Sequence, residues 1–89
     1  MKILVTGTAG FIGAALANRL LNRDDQIIGV DNVNNYYDVG LKEARLKNLT
    51  KHSGFTEVRI NIEDRKQMAE TFKKYQPRRV VHLAAQAGV

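Results

Sequence analysis

The sequence predicts an α/β fold in which four parallel strands form the middle of three layers. Short apolar segments that suit buried strands alternate along the chain with amphipathic segments of helical period. A glycine-rich turn, Gly7 to Gly13, joins the first strand to the first helix. Because strands that alternate with helices pair in parallel through right-handed crossovers, we expect the Rossmann-like spatial order 3-2-1-4.

The first half of the chain supplies two strands and two helices. We predict strands at Lys2–Thr6 and Gln26–Val30, with a helix over about Phe11–Asn22 between them. The predicted buried stripe of that helix consists of Ile12, Ala15, Leu16 and Leu20. Residues 32–40 are turn-rich and aromatic, so we expect a loop there. A second helix follows from Leu41 to about Lys51, and its predicted apolar side is Leu41, Ala44 and Leu49.

The second half repeats the pattern. Alternating residues over Phe55–Ile60 predict a third strand. A third helix begins after Asp64 and ends at Pro77, with an apolar side formed by Met68, Ala69, Phe72 and Tyr75. The nearly continuous apolar run Arg79–Ala85 predicts the fourth strand.

Composition indicates one small globular domain over residues 1–89. The hydrophobic fraction is 44%, and we find no repeat, linker or apolar run of membrane-spanning length. The absence of cysteine and of a signal peptide leads us to expect a cytoplasmic protein with no membrane partner. The net charge of +5 comes from scattered basic residues that we assign to solvated helix faces, so we expect no nucleic-acid partner.

The glycine-rich turn has the spacing of a dinucleotide-binding loop. Gly7 allows the sharp turn that needs a positive φ, and Gly10 and Gly13 allow a pyrophosphate and the new helix to approach the backbone. The helix then presents the free amides of its first turn, at Phe11 and Ile12, to an anion. Glycine spacing alone also occurs in ordinary turns, but here a strand precedes it and a helix, a second strand and an acid follow it.

Asp31 ends the second strand, eighteen residues beyond Gly13. A carboxylate at this place accepts hydrogen bonds from both ribose hydroxyls of the adenosine, and its charge repels a ribose phosphate. The predicted cofactor is therefore NAD rather than NADP. The alternative is an aspartate that only starts a turn.

Three strand ends meet at the point where the strand order reverses, which is where ligands bind in this fold. We therefore add to the predicted cofactor site the residues at the ends of the second and fourth strands: Asn32, Asn35, Leu83, Ala84, Ala85 and Gln86. The alternative for Ala84 and Ala85 is that small residues serve helix packing. After the third strand, Asn61 either bonds the adenine edge beside Ile62 or begins a turn before the helix. His82 is interpreted as a satisfied core residue within its strand, and no spacing of histidines predicts a metal.

Taken together, three segments resemble the start of the extended short-chain dehydrogenase/reductase family: Thr6–Gly13, Asp31–Asn32 and His82–Ala85. Within that family, residues 31–38, the helix around Arg45 and the last six residues are similar to the UDP-glucuronate 4-epimerases. The resemblance implies an NAD-dependent isomerase that oxidises carbon 4 of a nucleotide sugar and reduces it from the opposite face.

The resemblance also implies a truncation. It covers essentially all 89 residues but only the first quarter of such an enzyme, before the rest of the sheet, the Tyr-x-x-x-Lys pair and the substrate domain. We therefore predict no catalytic residue here, an inactive fragment, and self-association through the exposed edge of the fourth strand. The alternatives are the same part of a sugar-nucleotide dehydratase or reductase, or a non-enzymatic NAD-binding or interaction domain.

Overall fold

A computed structural model describes residues 1–32 and 39–84 of the chain. In these residues strands and helices alternate as expected. The elements, in chain order, are β1 (Lys2–Thr6), α1 (Phe11–Asn22), β2 (Gln26–Val30), α2 (Val39–Thr50), β3 (Phe55–Val58), α3 (Arg65–Tyr75) and β4 (Arg79–His82).

The four strands form one parallel sheet in the order β3-β2-β1-β4, which confirms the predicted topology. Thr6, at the end of β1, pairs with Val30 of β2 on one side and with His82 of β4 on the other. Val30 in turn pairs with Val58 of β3. This register brings the carboxyl ends of all four strands to one edge of the sheet, where the predicted site residues follow.

Alternate residues of the strands point to two faces of the sheet. The α1/α2 face carries a large cluster of buried residues: Ile3, Val5, Ala9, Ala17, Leu21, Ile27, Leu46, Leu49 and Phe55. On the α3 face the buried cluster is Leu4, Ile28 and Val30, against which Met68 and Tyr75 of α3 are partly buried. The α1/α2 face is therefore the main core of this chain.

The predicted bounds of α1 are confirmed, but its predicted buried stripe is wrong at Ile12 and Ala15, which are exposed, whereas Leu20 is partly buried against the core. The buried residues are Gly13, Ala17 and Leu21, each four positions after the last. Ile12 is 68% exposed, because the contact of Gly13 with the loop rotates a different row of side chains onto the sheet. Small residues at 13 and 17 let the helix axis approach β1 closely.

Helix α2 begins at Val39, two residues before the prediction, so Gly40 is helical rather than part of a loop. Its buried residues are Lys42, Leu46 and Leu49, whereas Leu41 is 50% exposed. Ala44, also predicted to be apolar and inward, is exposed. The remainder of the predicted loop, residues 33–38, lies outside the described residues.

The last elements are shorter than predicted. Strand β3 ends at Val58 and β4 at His82, so Ile60 and Leu83 follow strands rather than extend them. Asp64 caps α3 by accepting a hydrogen bond from the Gln67 amide (3.1 Å). Within the described residues, no helix has the length and apolarity needed to cross a membrane.

The inward side of α3 also differs from the prediction. Thr71 is its buried residue, and Ala69 and Phe72 are exposed. The Thr71 hydroxyl donates to the Gln67 carbonyl (2.8 Å), which satisfies it inside the helix. Because the hydroxyl has a partner within the helix, Thr71 can be buried. With Ala69 and Phe72 exposed, α3 buries little apolar surface.

Candidate functional site

The glycine-rich loop begins with a residue in the left-handed region. Gly7 has φ +83°, and its amide donates to the Val30 carbonyl of β2 (2.7 Å). A Cβ at Gly7 would also lie 2.9 Å from the Ala84 amide nitrogen. Both the φ and the approach of the chain after β4 therefore require glycine at this turn.

The other two glycines meet different constraints. A Cβ at Gly13 would lie 1.9 Å from the Gly7 carbonyl oxygen, so α1 could not pack in its present place with any side chain there. At Gly10 the nearest atom to a Cβ would be the same oxygen at 3.3 Å, and the rest of its surroundings are open. The bare backbone at Gly10 is thus accessible to a ligand, as the predicted role requires.

The amino end of α1 forms an anion-binding surface beside Gly10. The first helical bond is donated by Ala14 to the Gly10 carbonyl (2.9 Å), which leaves the amides of residues 11–13 without an intrahelical acceptor. Gly10 is the cap residue and provides no side-chain hydrogen bond. Phe11 is 76% exposed and flanks these amides. Free amides and the positive end of the helix dipole together suit a phosphate.

Asp31 lies directly against the loop. Its Oδ2 accepts a hydrogen bond from the Ala9 amide (3.0 Å), and its own amide donates to the Val58 carbonyl (3.2 Å). The carboxylate is therefore fixed between the end of β2 and the glycine-rich turn. A carboxylate has two oxygens and accepts several hydrogen bonds, so a ribose diol can share it with Ala9.

Thr6 joins the ends of β1 and β4, a role that we did not predict. Its Oγ1 accepts hydrogen bonds from the amides of Leu83 (2.9 Å) and Ala84 (3.2 Å). The same oxygen lies 2.8 Å from Nδ1 of His82. Because two amides use both lone pairs of the hydroxyl, this geometry directs the hydroxyl proton to Nδ1 of His82. The His82 ring is thus partnered, as predicted, but the residue is exposed, so the prediction of a core position is wrong.

Two basic residues of α2 also differ from our expectation of a solvated face. Lys42 is only 9% exposed, and Arg45 donates from Nη1 to the Ala9 carbonyl (3.1 Å). The sequence contains a pattern that would have revealed them. Residues 42, 45, 46 and 49 share one side of a helix, and that side includes the buried Leu46 and Leu49.

The remaining predicted site residues differ in burial and in hydrogen bonding. Asn61 Oδ1 accepts from the Glu63 amide (3.1 Å), so the asparagine does begin a turn, and a contact with adenine stays a prediction. Ile62 packs partly buried against the α3-face cluster. Asn32 and Leu83 are exposed beside Asp31 and Ala84 respectively. Asn35, Ala85 and Gln86 lie outside the described residues.

In residues 1–32 and 39–84, no three side chains of histidine, aspartate or glutamate lie close enough together to hold a metal ion. The described groups at this edge of the sheet include backbone amides, the Asp31 carboxylate, the Thr6 hydroxyl, the His82 imidazole and the Arg45 guanidinium. Free amides and a carboxylate are groups that bind and orient a nucleotide.

Comparison with known proteins agrees with this geometry. Residues 4–89 match the family model described as GDP-mannose 4,6 dehydratase. The chain belongs to this family. The chain is 51% identical over 89 residues to Protein CapI of Staphylococcus aureus. The match covers 100% of this chain and 26% of that protein. The chain is 44% identical, with the same two coverages, to a probable UDP-glucuronate 4-epimerase of Rhizobium meliloti (strain 1021).

Solved structures of the family have the same fold. The UDP-glucuronic acid 4-epimerase of Bacillus cereus, in complex with UDP-glucuronic acid and NAD, matches with a TM-score of 0.85 and 36% identity. That match covers 100% of this chain and 28% of the Bacillus protein. The chain thus spans about a quarter of the length of the relatives that it matches.

Proposed function

We propose that this chain supplies the adenosine and pyrophosphate half of an NAD site in a nucleotide-sugar epimerase. The observation that carries the proposal is the Ala9–Asp31 hydrogen bond, which places a carboxylate beside a glycine-rich helix N-terminus. The carboxylate suits the ribose diol and the free amides suit the pyrophosphate. The NAD complex of the Bacillus cereus relative supports this choice of cofactor.

Each part of the site then has a role. Gly7, Gly10 and Gly13, with the amides of Phe11 and Ile12, cradle the pyrophosphate. Asp31 bonds the ribose hydroxyls, while its negative charge disfavours the 2′-phosphate of NADP. The other predicted residues complete the proposed contacts: Asn32 beside the ribose, Asn61 and Ile62 at the adenine, and Leu83 and Ala84 after β4. Asn35, Ala85 and Gln86 stay in the proposed site on their sequence positions.

For the complete protein, we propose epimerisation at carbon 4 of UDP-glucuronate. The relatives whose names state an activity support this, because several are UDP-glucuronate 4-epimerases. NAD would supply the hydride chemistry, and residues 1–89 would bind and orient it. No Tyr-x-x-x-Lys pair occurs in the 89 residues, so we propose that this chain alone is inactive.

Amide NMR tests the cofactor site directly. We expect NAD to shift the amides of residues 7–13 and 31 first. Roughly millimolar NAD is needed, because half of a cofactor site binds NAD only weakly. The remote amides of Phe72 and Lys73 on α3 serve as internal controls. No shift at the loop, or equal shifts throughout the chain, would contradict the proposal.

The reaction is tested on the complete reading frame. We expect UDP-glucuronate to be converted into its carbon-4 epimer with no net consumption of NAD, since the hydride returns to the sugar. Formation of a 4-keto-6-deoxy sugar from a nucleotide hexose would instead identify a dehydratase. The absence of any turnover with nucleotide sugars would favour the non-enzymatic alternative.

Two further expectations stay predictions: a cytoplasmic location and self-association through β4. In the described sheet β4 pairs with β1 alone, and Val80 on β4 is 49% exposed. Such an edge presents unpaired backbone groups to a second chain. Sedimentation over a range of concentrations should show a dimer, and a strict monomer at high concentration would count against it.

A further inference from the structure

Ala9 is held by two side chains of opposite charge, one at each of its backbone polar groups. Its amide donates to Asp31 Oδ2 (3.0 Å), and its carbonyl accepts from Arg45 Nη1 (3.1 Å). Ala9 itself is fully buried. The two hydrogen bonds therefore fix the peptide groups before and after Ala9. The middle of the glycine-rich turn is therefore tied to β2 and to α2 at once.

Arg45 makes a second contact on the same side. Its guanidinium carbon lies 5.8 Å from the centre of the Phe11 ring, within the range of a cation–π contact. Phe11 is the first residue of α1, and its amide is the first of the three free amides. One side chain thus contacts both the turn and the beginning of the helix that the turn leads into.

The position of Arg45 on α2 is itself well fixed. The next residue, Leu46, and Leu49 one turn later are each only 2% exposed and belong to the main core cluster. The backbone that carries the Arg45 guanidinium is therefore fixed by the packing of its neighbours. The planar guanidinium also loses less freedom in a fixed geometry than an ammonium does.

We propose that Arg45 is a positioning residue for the cofactor loop. It holds the Ala9 peptide and Phe11 so that the amides of residues 11–13 face the pyrophosphate before the cofactor arrives. Ordering the loop in advance removes a cost that binding would otherwise carry. The identity of the ligand depends on the proposed NAD site, whereas the ordering of the loop by Arg45 does not.

The test compares Arg45→Met and Arg45→Lys with Lys47→Met. Lys47 is an exposed residue of the same helix, so its replacement removes one positive charge without touching the loop. Amide hydrogen exchange is measured in the ligand-free chain, and the Kd for NAD is measured by NMR titration. The exchange rates at Val5 and Ile28 show whether each variant is folded.

We expect Arg45→Met to accelerate exchange at Ala9 about tenfold and to weaken NAD binding about tenfold, as for the loss of one hydrogen bond to a charged group. Arg45→Lys should lie between this variant and the original, and Lys47→Met should change neither quantity. If Arg45→Met also disturbs Val5 and Ile28, the folded Arg45→Lys variant decides by the same two measurements.

Three outcomes would overturn the inference. Unchanged exchange at Ala9 with weaker NAD binding would identify Arg45 as a direct phosphate ligand. An equal effect of Lys47→Met would indicate only long-range charge, and unchanged exchange and binding would indicate no role. Should NAD fail to bind the original chain, the proposed cofactor site fails, but the exchange rates still decide whether Arg45 orders the loop.

Discussion

The two faces of the sheet are built very differently. The α1/α2 face buries a large apolar cluster, to which α1 contributes Ala17 and Leu21 and α2 contributes Leu46 and Leu49. The α3 face has three buried apolar strand residues, and the apolar side chains that α3 adds to them are only partly buried. Phe72 of α3 and Val80 of β4 are also exposed, at 38% and 49%.

The candidate site also has two parts, one at the α1/α2 face and one beside β4. The turn, Asp31 and Arg45 all lie at the end of the well-packed α1/α2 face, and hydrogen bonds join them to one another. On the β4 side, side-chain hydrogen bonds of the described residues centre on the Thr6 hydroxyl, which also contacts His82. In the proposed NAD site, the adenosine half is therefore the part with more contacts between elements, and the Thr6 hydroxyl joins the chain after β4 to β1.

The largest expected effect comes from the contact between the loop and α1. Gly13→Ala places a Cβ against the Gly7 carbonyl, and we expect a loss of about 4 kcal/mol in unfolding free energy because backbone must move. Gly10→Ala is the matched control, since its Cβ would lie 3.3 Å from the same oxygen, a contact that a small shift relieves, and a cap change of this kind costs about 1 kcal/mol or less. Urea unfolding followed by circular dichroism measures both. Equal midpoints for the two variants would refute the close-packing role of Gly13.

The contrast between the faces predicts unequal costs for two core truncations. Leu49→Ala on the α1/α2 face should cost about 3 kcal/mol, because a fully buried leucine leaves a cavity. Met68→Ala on the α3 face should cost about 1 kcal/mol, because that side chain is only partly buried. The same urea series measures the difference. A larger loss for Met68→Ala would mean that α3 contributes more to the core than its burial indicates.

The Thr6 hydroxyl can be tested as the group that holds the chain after β4. Thr6→Val keeps the shape but removes the acceptor of two amides, so we expect a loss of about 2 kcal/mol. Thr6→Ser keeps the hydroxyl and should lose less than about 1 kcal/mol. The nitrogen chemical shifts of His82 should also report hydrogen on Nε2 in the original chain. Equal stabilities of the two variants would show that β4 is not held by this hydroxyl.

The sequence predicted the element order well because periodicity and turn residues are local properties. The bounds of α1 and β2 and the order 3-2-1-4 follow from such patterns. The buried side of each helix was predicted less well, since it depends on how the helix is set against the sheet. In α1 the deciding contact is between Gly13 and Gly7, which apolar spacing does not reveal.

The candidate site shows the same division. The glycine turn and Asp31 were predictable, because their steric and hydrogen-bonding demands are specific to that motif. The role of Thr6 was not predictable, since a threonine in a strand is an ordinary residue. Helical spacing places Arg45 on the inward side of α2 but does not reveal its partner. Their roles arise from partners 76 and 36 positions away in the chain, which only the tertiary structure brings together.

The smallest expected effect is electrostatic. Arg59, just after β3, pairs with Glu43 of α2, and this contact lowers the pKa of the Glu43 carboxyl below its ordinary value. A lowered folded pKa stabilises the fold above the unfolded pKa, and this contribution is lost as the pH falls through the folded value. Glu43→Gln should therefore lower stability slightly at pH 7 and not at about pH 3. Thermal unfolding at both pH values measures it. An equal deficit at both would exclude the ion pair as the cause.

We propose that Asp31 and the glycine turn form an NAD-selective half site. The decisive measurement is the Kd of NAD and of NADP for the original chain and for Asp31→Asn, which keeps an acceptor for Ala9 but removes the charge. We expect the original chain to bind NAD at least about tenfold more tightly than NADP, and Asp31→Asn to lose most of that preference. Equal binding of the two cofactors by the original chain, or a preference that survives in Asp31→Asn, would contradict the claim.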